Sequence, residues 1–239
     1  VHGYNPDWAA LVGIPTEPIS LPHYPWQHRR YWQETKASAL RFTTRPHPFA
    51  WRASSDAEGT WELDLTASEL EWLNDHRIED TVVFPAAGYV ELAMWAGEQA
   101  YGSLDGIVFQ DIAFENALYL DPAAMPTVRF SFNAGSGEFR ITSGRGDDDV
   151  RTVHASGRLS LSRPTPPLDT PREVYGNQMA ADAIYSELSE LGLVYGPQFR
   201  ALQTLRRQGN TAVGRAKLSD HLMETFDNYV THPVLVDIA

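Results

Sequence analysis

Two short segments of the chain carry side chains that could transfer protons. One contains His76, with Pro85 nine residues later, and the other contains Asp237 after His232 and Pro233. A neutral imidazole titrates near pH 7 and can act as a general base. Asp237 follows three apolar residues, a context that can raise the pKa of a carboxyl group enough for it to act as an acid. The two segments are therefore candidates for acid–base chemistry.

Each candidate residue also has a simpler interpretation. His76, taken alone among eight histidines, fits a surface or capping residue, and Asp237 alone fits a carboxylate that complements a helix dipole. His76 and Asp80 are four residues apart, but no third ligand for a metal ion is apparent nearby. The chain has no cysteine, which excludes thiolate nucleophiles and disulfides.

Length and composition predict one large or two small globular domains. The 239 residues are 43% hydrophobic and 21% charged, and their formal net charge is −12. This acidic balance makes nucleic acid and anionic membranes poor partners. No apolar run reaches the roughly 18 residues that would indicate a membrane-spanning helix. With no signal peptide apparent and no cysteine, we expect a cytoplasmic location and no membrane insertion.

The elements that would position the two candidates follow from the residue pattern. Small and apolar residues predict a helix over residues 89–101, which Gly102 ends as a C-cap. Strands are predicted over residues 61–65, 107–114, 117–120, 127–133, 138–142 and 150–161. Beyond a proline-rich stretch, a helix over residues 180–191 and strands over residues 201–207 and 211–218 begin a similar pattern. One long helix with several antiparallel strands predicts an α+β fold.

Three ordered regions of the sequence resemble the dehydratase domains of type I polyketide synthases. Residues 21–32 are similar to the linker L-P-x-Y-P-F-Q-x-x-R-Y-W that follows the acyltransferase in this family. Residues 76–85 resemble the dehydratase motif H-x-x-x-G-x-x-x-x-P, except that Asp80 stands where the family usually has glycine. Residues 195–199 resemble Y-G-P-x-F, and residues 232–237 resemble H-P-x-L-x-D.

The resemblance implies a double hotdog, in which two units each wrap a curved antiparallel sheet around a central helix. We expect residues 1–44 to be the post-acyltransferase linker and residues 45–163 the N-terminal hotdog. Residues 164–171 would be a proline-rich linker, and residues 172–239 a C-terminal hotdog that is incomplete in this chain.

The resemblance also implies a reaction and the residues that perform it. His76 would be the base and Asp237 the acid that together remove water from a β-hydroxyacyl thioester. The substrate-binding residues would be Tyr195, Gly196, Pro197, Phe199, Pro85 and Phe84. No metal or other cofactor is expected, and the substrate would arrive on the phosphopantetheine arm of an acyl carrier protein.

The partners implied by the resemblance are an acyl carrier protein, the neighbouring acyltransferase and ketoreductase domains, and a second copy of the chain. Residues 27–30 form a candidate basic patch for an acidic carrier protein. Two alternatives stay open. Asp80 is compatible with a degenerate dehydratase kept as a structural and dimerising scaffold. Product-template domains, which guide cyclisation with a similar His/Asp pair, share part of the pattern, although residues 21–32 and 195–199 favour the dehydratase.

Overall fold

The computed structural model describes residues 7, 10, 45–53, 59–145, 150–162 and 177–239. Contacts divide the chain into two units, Val1–Thr43 and Thr44–Ala239, and every element below belongs to the second unit. Apart from residues 7 and 10, the predicted post-acyltransferase linker with its basic patch lies outside the described residues, as does the proline-rich linker. The predicted domain boundaries therefore stay predictions.

Six antiparallel strands form the larger sheet of the described residues. They are β1 (Ala50–Ala53), β2 (Thr60–Leu63), β5 (Ile107–Phe114), β6 (Thr127–Phe132), β7 (Glu138–Gly144) and β8 (Thr152–Leu161). Their order in the sheet is β1-β2-β6-β7-β8-β5. Alternate residues such as Val128, Phe130 and Ile141 are buried, as expected for a sheet with one face in the core. Five of these strands match sequence predictions to within a few residues.

The long helix α1 (Ala86–Tyr101) packs in the core beside this sheet. Its small residues allow close packing: a Cβ added to Gly97 would stand 2.8 Å from Leu159 Cδ1 on β8. The helix ends where predicted, at Gly102, whose φ of 75° is in the left-handed region that favours glycine. It begins earlier than predicted, directly after its N-cap residue Pro85.

A second, smaller layer follows in the C-terminal part of the chain. It contains β9 (Asn177–Ala180), α2 (Ala181–Glu190), β11 (Leu202–Gln208), β12 (Thr211–Ala216), α3 (Asp220–Met223) and α4 (Pro233–Asp237). The three strands form a sheet in the order β12-β11-β9. None of the helices in the described ranges is long and apolar enough to cross a membrane.

A three-stranded sheet joins the two parts. Its strands are β3 (His76–Ile78), β4 (Thr81–Val82) and β10 (Leu193–Tyr195), in the order β10-β3-β4. In the pairing of β10 with β3, Tyr195 lies directly opposite His76. No sequence pattern predicted this sheet, because its strands have two or three residues and its outer partners are more than one hundred residues apart.

The prediction of a strand over residues 117–120 is wrong. These residues run extended beside residues 82–84, where Tyr119 forms an isolated bridge with Val83 and the Phe84 amide donates to the Leu118 carbonyl at 2.9 Å. The alternation of apolar residues suggested a strand because Leu118 and Leu120 are buried. The hydrogen-bonded ladder around them is, however, too short to form a strand. The 3-10 helix Ser68–Asp75, just before β3, was not predicted.

Candidate active site

His76 begins β3 directly after the 3-10 helix, and the hairpin to β4 determines the orientation of its ring. The Val83 amide donates to the His76 carbonyl at 3.0 Å, and His76 Nδ1 lies 2.7 Å from the Val83 carbonyl oxygen. Because a carbonyl oxygen only accepts hydrogen bonds, Nδ1 must carry the proton. The neutral ring then has its lone pair on Nε2, the atom that faces the second candidate residue. Nε2 is therefore the atom that can act as a base.

Asp237 is the last residue of α4, a five-residue helix with His232 as its N-cap. Its carboxylate Oδ1 lies 3.8 Å from His76 Nε2, and the two side chains are only 13% and 12% exposed. No described residue forms a hydrogen bond to the buried Oδ2 atom. Burial raises the pKa of the Asp237 carboxyl above its ordinary value, while the nearby His76 ring and the Tyr195 hydroxyl oppose that shift. The raised pKa favours a protonated carboxyl that can donate.

Two aromatic residues from the segment 195–199 enclose the imidazole. The Tyr195 ring lies edge-on to His76 with 5.6 Å between ring centroids, and the Phe199 ring lies at 5.1 Å. Phe199 is fully buried, and it contacts the core residue Trp72 on the 3-10 helix. Burial raises the pKa of the Tyr195 hydroxyl, as does the neighbouring Asp237 carboxylate, so the hydroxyl stays protonated at neutral pH. The site thus combines an imidazole, a carboxyl and a phenol hydroxyl against an apolar wall.

Asp75 connects the His76 strand to the segment 195–199, a role that was not predicted from the sequence. Its backbone carbonyl accepts from the Gly196 amide at 2.7 Å, and its Oδ2 accepts from the Gln198 amide at 2.8 Å. The Gln198 side chain in turn accepts a hydrogen bond from the Ser219 hydroxyl. The only signal in the sequence was the position of an aspartate directly before the candidate base.

Gly196 leaves room for this connection, so substitution there tests it. A Cβ on Gly196 would overlap the Asp75 carboxylate and stand 2.8 Å from Asp75 Cβ. We expect Gly196→Ala to lower the free energy of unfolding by about 1–3 kcal/mol, because the Asp75 side chain must leave the Gln198 amide. Denaturant unfolding measures this change. As a control, Gly135→Ala in an exposed turn should change stability by at most about 0.5 kcal/mol; equal effects of the two substitutions would contradict the steric argument.

The other predicted substrate-binding residues lie in different surroundings. Phe84 is only 2% exposed and packs in the core against Phe49 and Tyr89, with ring centroids 5.1 Å apart in both pairs. Pro85 is buried at the start of α1, and Pro197 is exposed. The structure therefore brings Tyr195, Gly196 and Phe199 to the His76–Asp237 pair and places Phe84 in the core; substrate binding by any of these residues stays a prediction.

Asp80, the departure from the dehydratase motif, lies in the two-residue turn between β3 and β4. The left-handed residue of this turn is Glu79, with a φ of 52°, and the next residue, Asp80, has no positive φ. The Glu79 amide donates to the Gly192 carbonyl at 2.7 Å, which holds the turn in place. Asp80 is exposed, and no ion pair within the described ranges joins it to His76. The carboxylate beside His76 is that of Asp237.

Comparison with known families and structures agrees with this architecture. A model of the polyketide synthase dehydratase domain matches residues 47–144, and a model described as the polyketide synthase dehydratase N-terminal domain matches residues 163–239. Solved structures with a similar fold include the dehydratase domain from the CurF module of curacin polyketide synthase, with a TM-score of 0.66 and 23% identity. That match covers 80% of this chain and 73% of the CurF domain. The predicted double hotdog, incomplete in its second unit, is confirmed.

Curated relatives are large multidomain synthases. A hybrid PKS-NRPS synthetase, mpsA of Macrophomina phaseolina, is 33% identical over 96% of this chain, which corresponds to 6% of mpsA. Polyketide synthase GfsA of Streptomyces halstedii is 30% identical over 100% of the chain and 3% of its own length. The chain spans at most 10% of the curated relatives compared with it. Together, the family models, the relatives and the fold show that this chain belongs to the dehydratase domains of type I polyketide synthases.

Proposed function

We propose that the chain removes water from a β-hydroxyacyl thioester, with His76 as the base and Asp237 as the acid. The observation that supports this proposal is the close approach of the His76 ring and the Asp237 carboxyl group. His76 Nε2, which bears the ring's lone pair, stands 3.8 Å from Asp237 Oδ1, and burial raises the pKa of that carboxyl. A base and an acid whose pKa is raised, beside the same apolar wall, can act on adjacent carbons of a single substrate.

The proposed reaction moves two protons. His76 Nε2 takes the α-proton next to the thioester carbonyl, and the electrons of that C–H bond form the new carbon–carbon double bond. The β-carbon–oxygen bond breaks, and the Asp237 carboxyl donates its proton to the departing hydroxyl, which leaves as water. His76 ends protonated and Asp237 ionised, and transfer of one proton between them restores the starting state. Each positioned proton transfer typically contributes about 10²–10⁴ in rate.

Tyr195 has a supporting role in this proposal. Its protonated hydroxyl lies beside the Asp237 carboxylate and can hold either that group or the departing hydroxyl in place. The relatives offer a parallel: in the CurK dehydratase, one histidine-to-phenylalanine and one aspartate-to-asparagine substitution each give an inactive mutant. That protein therefore depends on the same two residue types.

We further propose the setting in which the reaction occurs. The curated relatives are multifunctional synthases, two of them highly reducing polyketide synthases, so the substrate would be presented by an acyl carrier protein on its phosphopantetheine arm. Acyltransferase and ketoreductase domains would be neighbours, and the ketoreductase would supply the β-hydroxyl group. The two side chains provide both proton transfers, and the reaction as written uses no metal or redox cofactor. We also expect a homodimer in the cytoplasm.

Neither alternative function gains support from a particular observation. A degenerate scaffold was suggested by Asp80, but this residue is exposed in the turn, and the His76–Asp237 pair is assembled beside it. Cyclisation of the product-template kind would use the same pair, so only the product of the reaction separates it from dehydration.

The test of the proposed function follows the loss of water by mass spectrometry. The natural full-length protein is incubated with a β-hydroxyacyl pantetheine thioester, and we expect a product 18 mass units lighter, roughly the mass of one water molecule. The matching saturated acyl thioester, which lacks the β-hydroxyl group, should be unchanged. A folded protein that releases no water from several β-hydroxyacyl chains would reject the catalytic proposal in favour of the scaffold.

A further inference from the structure

A fully buried carboxylate on α1 connects the two parts of the structure. Glu91 has no solvent exposure. Its Oε1 accepts from the Val230 amide at 2.7 Å, and its Oε2 accepts from the Thr231 amide at 2.8 Å. These amides are 139 and 140 residues farther along the chain. Burying a carboxylate costs free energy unless hydrogen bonds satisfy its oxygens. We therefore expect Glu91 to hold residues 230–231 firmly, because its hydrogen bonds are charge-assisted.

His47 completes the set of donors around Glu91. The Phe49 amide donates to His47 Nδ1 at 3.2 Å, so the neutral ring carries its proton on Nε2. His47 Nε2 lies 3.1 Å from Glu91 Oε1 and donates to it. His47 is itself buried, with 3% exposure. The carboxylate therefore accepts three hydrogen bonds, two of which come from the backbone of residues 230–231.

The segment that Glu91 holds leads directly into the helix that carries Asp237. Thr231 precedes His232, whose Nδ1 accepts from the Val234 amide at 3.3 Å and so begins α4. His232 is fully buried, and its ring packs 4.7 Å from that of Tyr229. Because α4 has five residues, its position depends on how its start is anchored. Asp237 at its end must stay within reach of His76.

We propose that Glu91 is a positioning residue, which places the acid Asp237 against the base His76 by holding the backbone at the start of α4. This inference rests on the proposed function only in taking Asp237 as the acid. Within the part of the chain that the structure describes, the titratable groups that face Asp237 are His76 on β3, Tyr195 on β10 and, farther away, Tyr185 on α2. Glu91 touches none of these groups, so it acts through the backbone of residues 230–231.

Glu91→Gln tests the proposal, because the amide has the same shape but must turn one N–H donor toward a backbone N–H donor. In the natural full-length protein we expect hydrogen exchange at residues 230–231 to become about tenfold faster. We expect kcat for water loss to fall about 10²-fold with KM unchanged, since a small misplacement of a catalytic group costs this much. The alkaline limb of the kcat–pH profile should move to lower pH, because a loosened Asp237 loses part of the burial that raises its pKa.

Ser143→Ala is the matched control. Ser143 is also buried, and its hydroxyl hydrogen-bonds to His154 Nε2 at 2.7 Å on the sheet, without a bond to residues 230–237. This variant should lose stability like Glu91→Gln but keep the wild-type exchange at residues 230–231, the wild-type kcat and the wild-type pH profile. If Glu91→Gln does not fold, Glu91→Asp carries the same test, because its shorter side chain cannot span both amides.

The results separate this proposal from the proposed function. Unchanged exchange at residues 230–231 in the Glu91 variants would overturn the anchoring role. Faster exchange with a kcat equal to that of Ser143→Ala would overturn the positioning role. If the wild-type protein releases no water, the proposed function fails and positioning of a catalytic acid fails with it, while the exchange data still decide whether Glu91 anchors the start of α4.

Discussion

Replacing His76 by alanine is expected to lower kcat for water loss by about 10²- to 10⁴-fold, the usual contribution of a positioned proton transfer. The hydrogen bond from Nδ1 to the Val83 carbonyl, at 2.7 Å, keeps the lone pair on Nε2, where the α-proton would arrive. Alanine removes the base and leaves a small cavity beside Phe199 and Tyr195. The measurement is steady-state water loss with a β-hydroxyacyl pantetheine thioester.

Two further measurements make the His76 prediction specific to its role as base. Imidazole added to the His76→Ala protein should restore part of the rate, because a free base can enter the cavity. The exposed histidine His221 provides the control, and His221→Ala should keep the wild-type kcat. A His76→Ala protein that retains more than about one tenth of the wild-type kcat would remove this residue from the mechanism.

Asp237→Asn is expected to lower kcat by about 10²- to 10⁴-fold, as His76→Ala does, and to leave the fold intact. The amide keeps the shape of the carboxyl group but cannot donate an acidic proton to the departing hydroxyl. In the wild type, kcat should fall as pH rises through the elevated pKa of Asp237, because the ionised carboxylate is no longer an acid. This alkaline limb should be absent from the residual activity of Asp237→Asn, which a kcat–pH profile measures. Persistence of the same limb in the variant would assign it to another group.

The Tm of Asp237→Asn provides an independent check. The linkage between proton binding and folding determines whether the Tm should rise or fall. Burial raises the pKa of this carboxyl in the folded state above its unfolded value, so the folded protein binds the proton more tightly. The resulting stabilisation is present at low pH and is lost as pH rises through the folded-state pKa. Asparagine carries no charge to bury, so we expect the Tm of the variant at pH 7 to equal or exceed that of the wild type. A clearly lower Tm would contradict the expectation that burial of the ionised carboxylate lowers the stability of the wild type.

Local sequence patterns were sufficient for five strands of the six-stranded sheet, for most of α1 and for the choice of His76 and Asp237 as the candidate base and acid. The alternation of β6 and β7 and the small residues of α1 appear within short windows of sequence, because each reflects contact of one face with the core. His76 and Asp237 were found because each lies in a short ordered motif that resembles the dehydratase family. The same approach failed at residues 117–120, where buried leucines occur without a sheet ladder.

Only the tertiary structure decided how the proposed catalytic groups meet. The pairing of β10 with β3 places Tyr195 opposite His76, although no short window of sequence contains both residues. The tautomer of the His76 ring follows from its hydrogen bond to the Val83 carbonyl, and the position of Asp237 depends on α4, whose start Glu91 holds. Local patterns report which face of an element is buried, whereas contacts between distant residues depend on the packing of the whole chain. For that reason the sequence predicted His76 as the base and Asp237 as the acid, and the fold determined that the two side chains stand 3.8 Å apart.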